Sequence, residues 1–453
     1  MANDANNRVG DTYYYAGNFK TAQKYYDNST GDYALYQKAM MLGYSREYAD
    51  KAAQMEALVK KYASSSLIPS ALYEEADALQ MAGNAKKAIK VYDTLVAKYP
   101  ETEYARKALL NKAITEMNSK NEASAIEVYK EVVRRYATSE EAGIAIEDLK
   151  LIYADRGELH VLRDFLATVN NAPVLDVDEE DRLAFESAEK SYIENANNVA
   201  KLEKYVAEYA AGAFVAKAKY YLINHYYKNG KKNEALKLIE EFEVVNSDKK
   251  LGEDVAEKKV DILVGEGRNN EAIEVYKKLE SMGTTTEARV KAQMGVLTTA
   301  RKVGDYELVE VYANKLESAG VLNGEQENEV LYCKAEALQK QKRVAEAQEY
   351  YERLSQNVQS EYGAQAAYRL AEIHYNNKDY VSAENVINEF VGGGTPHAYW
   401  LARAFILLAD VYYKQGSTFE AREYLESLKQ SYPGKEEDIF EMIDTRLKKW
   451  KTK

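Results

Sequence analysis

The side chains best suited to catalysis are few and far apart. The chain holds four histidines, His160, His225, His374 and His397, and one cysteine, Cys333. A hydrolytic zinc site needs clustered histidines or paired cysteines, and a cysteine nucleophile needs a base beside it. No HExxH, CxxC or GxSxG occurs, and the histidines stand in separate parts of the chain. His225 and His374, each next to tyrosine, read as packed or surface residues. Cys333, between Tyr332 and Lys334, reads as a buried inert thiol, and a single cysteine forms no intrachain disulfide. Acid pairs such as Glu74–Glu75 recur throughout and read as solvated helix faces. Asp176, Asp178, Glu180 and Asp181 suggest a calcium loop, but the glycine at its sixth position and the distal glutamate are missing. Acids there also suit the start of a helix. The glycines of VGGGTPHAYW, residues 391–400, follow no strand and precede no GK[ST]. We therefore expect no catalytic residues, no cofactor and no metal, and look to binding.

Composition narrows the binding partner. The chain has 453 residues, 46% hydrophobic and 30% charged, with only 5 prolines, as suits a large, mainly helical core. A formal charge of -12 argues against nucleic acid as the main ligand. Apolar runs such as AFILLA, residues 404–409, fall far short of the roughly 20 residues of a membrane span. The opening MANDANNRVGDTYYYAGN has no apolar signal region and starts inside the repeat pattern described next. That start predicts a chain cut from a longer one, whose native address is then open: periplasm or cell envelope, or alternatively cytoplasm.

The elements that would present a binding surface announce themselves by repetition. AGNAKKAIKVYDTLVAKYP (82–100), SKNEASAIEVYKEVVRRY (119–136) and GEGRNNEAIEVYKKL (265–279) are versions of one phrase. Its alanine recurs at Ala88, Ala125, Leu162, Ala200, Ala235, Ala272, Val309, Ala347, Ala383 and Ala421, at gaps of 35 to 38 residues. Ala22 and Ala52 extend the series less regularly towards the start. Twelve positions earlier stands a second small residue, as at Gly10, Ala76, Ala113, Ala188, Ala335, Ala371 and Ala409. Four positions later stands a large one, as at Tyr26, Tyr92, Tyr129, Tyr276 and Tyr351. Between the small residues lies a glycine or polar turn, so each unit predicts a helix A, a tight turn and a helix B. Two helices approach closely only where side chains are small, and one hairpin cannot bury its own apolar face, which is why the phrase repeats.

A small residue, an alanine twelve on, an aromatic four after that and a proline eight further resembles the tetratricopeptide repeat; Ala76, Ala88, Tyr92 and Pro100 carry it best. The resemblance implies an all-α fold, a right-handed α-α superhelix of about twelve helical hairpins. The irregular NNAPVLDVDEEDR, residues 170–182, predicts a division into sub-arrays 1–170 and 171–435, and the amphipathic stretch 436–453 predicts a capping helix. Links such as KYPETEYA, residues 98–105, resemble more loosely the bacterial cell-envelope members of the family, Tol-Pal-associated coordinators and outer-membrane assembly lipoproteins.

In this family helix A lines the concave face, and the residues three before, one after and four after its small residue point into the groove. Carried over, these include Tyr73 and Asp77, Tyr192, Tyr220, Asn224 and Tyr227, then Tyr332 and Glu336. Tyr368, Glu372 and Tyr375, then Asp410 and Tyr413, complete the series. Tyrosine offers area, a polar tip and little rotamer entropy, as peptide recognition favours, and the acids favour basic or amide-rich segments. Leu110, Ile114, Met117 and Leu151 form an apolar variant of the stripe, suited to a partner helix. Two readings stay open: a scaffold that binds protein or peptide, or a structural array that self-associates through its ends. A tight superhelix would use the same tyrosines as packing.

Overall fold

The computed structural model describes residues 2–450. Among the described residues the regular structure is entirely helical, 25 helices that pair as twelve hairpins and one closing helix. They form two compact units that divide between His225 and Tyr226. In the first unit α1 (Ala2–Tyr15) pairs with α2 (Phe19–Asp27), and α3 (Asp32–Tyr44) with α4 (Tyr48–Lys61). Next come α5 (Ile68–Met81) with α6 (Ala85–Lys98), and α7 (Glu103–Asn118) with α8 (Glu122–Tyr136). Then follow α9 (Glu140–Arg156) with α10 (Leu159–Ala167), and α11 (Val177–Glu194) with α12 (Ala200–Glu208). The dividing point falls inside α13 (Val215–Lys228), which is followed by α14 (Lys232–Val245). The second unit continues with α15 (Lys249–Gly265) and α16 (Asn269–Met282), then α17 (Thr286–Val303) and α18 (Tyr306–Ala319). After them come α19 (Gly324–Lys340) and α20 (Val344–Ser355), and α21 (Glu361–Asn376) and α22 (Tyr380–Gly392). The last hairpin is α23 (Ala398–Gln415) with α24 (Thr418–Ser431). The closing helix α25 (Glu437–Lys449) packs on both of them and buries Ile439 and Ile443.

The hairpins close where the spacing places small residues. Ala76 and Ala88, like Ala335 and Ala347, have no exposed surface. A Cβ added at Gly10 would stand 2.6 Å from the ring of Tyr26, too close for any side chain there. The large residue four after the main alanine fills the remaining gap, and Tyr26, Tyr92 and Tyr351 are fully buried. Their hydroxyls need acceptors inside the protein and find them on helix A: Asp11 at 2.8 Å, Gln80 at 3.3 Å and Gln339 at 3.1 Å.

One expected register is corrected. Ala200 lies exposed at the first position of α12, while Leu202 and Tyr205 occupy the interior. The longer link before α12 shifts the repeat there. The irregular segment before α11, where the sequence predicts a division, lies within the first unit, and α11 packs back on α9 and α10.

The turns show a feature the spacing does not announce. Glycine takes the left-handed conformation at positions such as Gly83 (φ 79) and Gly416 (φ 96). The same turn is made by Arg46 (φ 61), Lys120 (φ 61), Lys342 (φ 66) and Lys378 (φ 65). A side chain there costs about 1–2 kcal/mol, partly offset by the larger entropy glycine loses on folding. Lys378→Gly should therefore raise stability by about 0.5 kcal/mol, and Gly83→Ala should lower it by about 1 kcal/mol, in urea denaturation curves.

Candidate functional site

In each unit the candidate site is the face built by the first helices of its hairpins. The residues expected on it are placed unequally. Tyr73, Asp77, Tyr192, Tyr220, Asn224, Tyr227, Tyr375 and Tyr413 are half-buried on this face. Tyr332 is corrected: it is 1% exposed, packed against Tyr351 and Tyr362 with the Arg301 guanidinium over its ring, and offers no surface to a ligand. Tyr368 is nearly as buried, at 6%. The apolar patch also contracts. Leu110 belongs to the core and Ile114 and Met117 pack against it, which leaves Leu151 exposed.

Glu336, Glu372 and Asp410 of the stripe already have partners, and those of Glu336 and Asp410 tie neighbouring hairpins together. Glu336 of α19 is met by Arg301 of α17. Asp410 of α23 receives both Nε and Nη2 of Arg446 of α25, at 2.8 and 2.6 Å. Glu372 accepts from Tyr368 Oη at 3.0 Å and from Arg369 Nη1 at 2.8 Å. In the first unit, Lys150 of α9 pairs with Glu179 of α11 at 2.7 Å, and Lys217 and Tyr221 of α13 both reach Glu189 of α11 at 2.7 Å. Asn111 of α7 donates to the hydroxyl of Tyr73 on α5 at 2.9 Å. Tyr413 stacks on Trp450 at 4.4 Å, and Tyr192 lies 4.9 Å from Tyr221. Tyr368, Glu372, Tyr375 and Asp410 do converge, around a hollow of about 140 Å³ that Arg403 and Arg446 also line. The acidic stripe is thus largely neutralised, and its pull on basic segments is weaker than the sequence implies.

The other reactive groups are accounted for by structure. Asp176 caps α11 by accepting from the Glu179 amide at 2.7 Å. Glu180 binds Arg163 at 2.7 Å, and Asp181 binds Tyr205 Oη at 2.5 Å and the Ala213 amide at 2.7 Å. Burial pushes the Cys333 thiol up to about 12, so it stays protonated. His397 Nε2 faces the Gln359 carbonyl at 3.0 Å, and His374 stands 3.6 Å from Asp379.

Sequence reasoning passed over one part of this face. In the α15–α16 hairpin the expected small position is Val260, so the unit was not recognised as presenting a face. The same offsets applied to Val260 give Glu257, Asp261 and Val264, all of which line a cleft of about 470 Å³ within the second unit. Tyr227 Oη donates to Asp261 across it at 2.6 Å.

Within each unit, serially stacked hairpins of similar length with a polar first-helix face define a helical-repeat array. The tetratricopeptide-repeat pattern matches residues 36–103, 73–140 and 332–398, and a second form of the same repeat matches 403–435. A PPR repeat pattern matches residues 221–245. The chain belongs to the tetratricopeptide-repeat proteins, and repeats of this family make it a protein-interaction scaffold. No curated protein sequence matches it. Among solved structures it resembles Naa15/Naa10 bound to HypK-THB, at 16% identity over 98% of this chain and 66% of that one, with a TM-score of 0.37. It also resembles the APC/C hetero-tetramer Cut9-Hcn1, at 14% identity over 98% and 90% of the two chains, TM-score 0.31. Pseudomonas aeruginosa pilF is similar at 18% identity over 52% and 96%, TM-score 0.34. Among the described residues no helix is long and apolar enough to cross a membrane.

Two predictions follow from these pairings. Arg446→Met strands Asp410 and should cost about 2 kcal/mol, with most of it recovered by adding Asp410→Asn, as read by urea denaturation. The second concerns Glu75 of α5, which desolvation pushes from 4.5 to about 7. The folded chain then holds a proton that the unfolded chain releases near 4.5. Its contribution is present below pH 4.5 and lost as pH rises through about 7. Glu75→Gln should therefore gain stability over the wild type as pH rises through this window, with the gap levelling off above it.

Proposed function

We propose that the chain is a non-catalytic scaffold that holds a protein or peptide along its first-helix face, in a bacterial cell-envelope assembly. The observation that carries this reading is the tyrosine series Tyr73, Tyr192, Tyr220, Tyr227, Tyr375 and Tyr413, half-exposed on that face in both units. Half-exposed tyrosines whose tips are held by neighbours, as Tyr227 is by Asp261, bury area on binding at little entropic cost. The envelope address is supported only by links of the KYPETEYA type. The second reading, self-association through the ends of the array, is favoured by Tyr15, Phe19 and Tyr44 of the first two hairpins, exposed at 87%, 37% and 49%. Sedimentation that stays monomeric at high concentration would remove it.

A photo-crosslinking amino acid placed at Tyr73, Tyr220 or Tyr375 should capture one set of partners from the source cell, and the same group at exposed Glu349 or Glu423 should not. Equal capture from both sets would sink the groove reading. The cell fraction that supplies the partner tests the envelope address. For a partner so captured, Tyr220→Ala with Tyr375→Ala should weaken binding by roughly tenfold to a hundredfold without lowering the melting temperature.

A further inference from the structure

In the second unit consecutive first helices pack directly, with one lapse. α17 packs on α19, α19 on α21, α21 on α23 and α23 on α25, whereas α15 and α17 stand apart across the cleft of about 470 Å³. That volume lies within the usual range of ligand pockets. The floor is apolar, made by Val260, Val264, Leu279 and the ring of Tyr276. Above it α15 supplies four carboxylates, Glu253, Asp254, Glu257 and Asp261, against two lysines, Lys258 and Lys291.

The carboxylates are not satisfied equally. Lys258 pairs with Asp254, and Lys291, itself 71% exposed, reaches Glu257 at 2.7 Å. Asp261 takes a bond from Tyr227 Oη, a neutral donor, at 2.6 Å. Glu253 Oε1 is shut away from water and meets no donor among the described residues. An anionic rim over an apolar floor suits a side chain with a long aliphatic stem and a cationic head. Arginine adds a planar fork that pairs with carboxylates two bonds at a time, and Tyr276 offers a ring to either cation.

We infer that this cleft receives an arginine or lysine side chain of a partner polypeptide, its stem on Val260 and Tyr276 and its head between Glu253, Glu257 and Asp261. The inference rests on the scaffold reading and names what one part of that face selects. Elsewhere in the second unit Glu336, Glu372 and Asp410 of the face are each answered by an arginine, so this hairpin pair is where a cation from outside is wanted.

The test uses the full chain and seven-residue peptide pools, randomised except for a central arginine, lysine, glutamine or norleucine. At low salt the immobilised wild type should retain the arginine and lysine pools roughly tenfold over the other two. Glu257→Gln with Asp261→Asn should remove that preference, and so should Ala288→Trp, which fills the mouth of the cleft without altering charge. Glu349→Gln with Glu423→Gln changes net charge equally at exposed sites elsewhere and should leave it intact. Circular dichroism and melting temperature check that each variant is folded. If the charge variant fails to fold, Ala288→Trp decides. Equal retention of the norleucine pool, equal loss in the distant control, or no retention of any pool would each overturn the inference. None of these outcomes touches crosslinking from Tyr73 or Tyr375, so a failure here is separable from a failure of the scaffold reading.

Discussion

A tyrosine with no exposed surface brings its hydroxyl into the core, and the rest of this array is arranged around that demand. Tyr92 and Tyr351 reach the interior because the crossing beside them is built from alanines, Ala76 with Ala88 and Ala335 with Ala347. Once there, each hydroxyl must find an acceptor or cost about 1–3 kcal/mol. Gln80 and Gln339 supply it, from the position of helix A that in this family would face a ligand. The core thus reaches up and takes residues from the functional face.

The same economy governs the charged residues of that face. Stacked first helices bring the acid of one hairpin beside the base of the next, as with Glu336 and Arg301 or Asp410 and Arg446. Half-buried, charge-assisted pairs between hairpins resist shearing of one unit along the next more than isolated surface pairs do. They also remove the net charge that a ligand would feel. What such an array can recognise is therefore set less by the residues it shows than by those its packing leaves over.

This explains what could and could not be read from the sequence. Hairpin number, pairing and the closing helix were legible because a period of 35 to 38 residues with fixed small positions admits one arrangement. Ala200 was misplaced because a longer link shifts the register without changing the local composition. The left-handed turns at Lys120, Lys342 and Lys378 were hidden, since lysine gives no hint of positive φ. The stripe offsets can be carried over one helix at a time, but neither their burial, as at Tyr332, nor their pairing can. Whether Arg301 meets Glu336 or a ligand depends on the offset between neighbouring helices, which no single repeat encodes.

The cleft shows how a small change in packing creates a vacancy. Val260 stands where several other hairpins place alanine, although α13 and α17 place Ile223 and Leu297 there. On the far side, Gly295 of α17 lets the ring of Tyr276 come closer than any Cβ would allow. α16 and α17 accordingly pack more extensively than any other helix pair among the described residues. The glycine lets α17 close on α16, and α15 and α17 face each other across the cleft. Of the bases of α17, Lys291 answers Glu257 of α15 while Arg301 is turned forward to Glu336, and Asp261 takes its bond from the Tyr227 hydroxyl instead. A glycine that lets α17 close on α16 thus goes with an anionic slot beside α15.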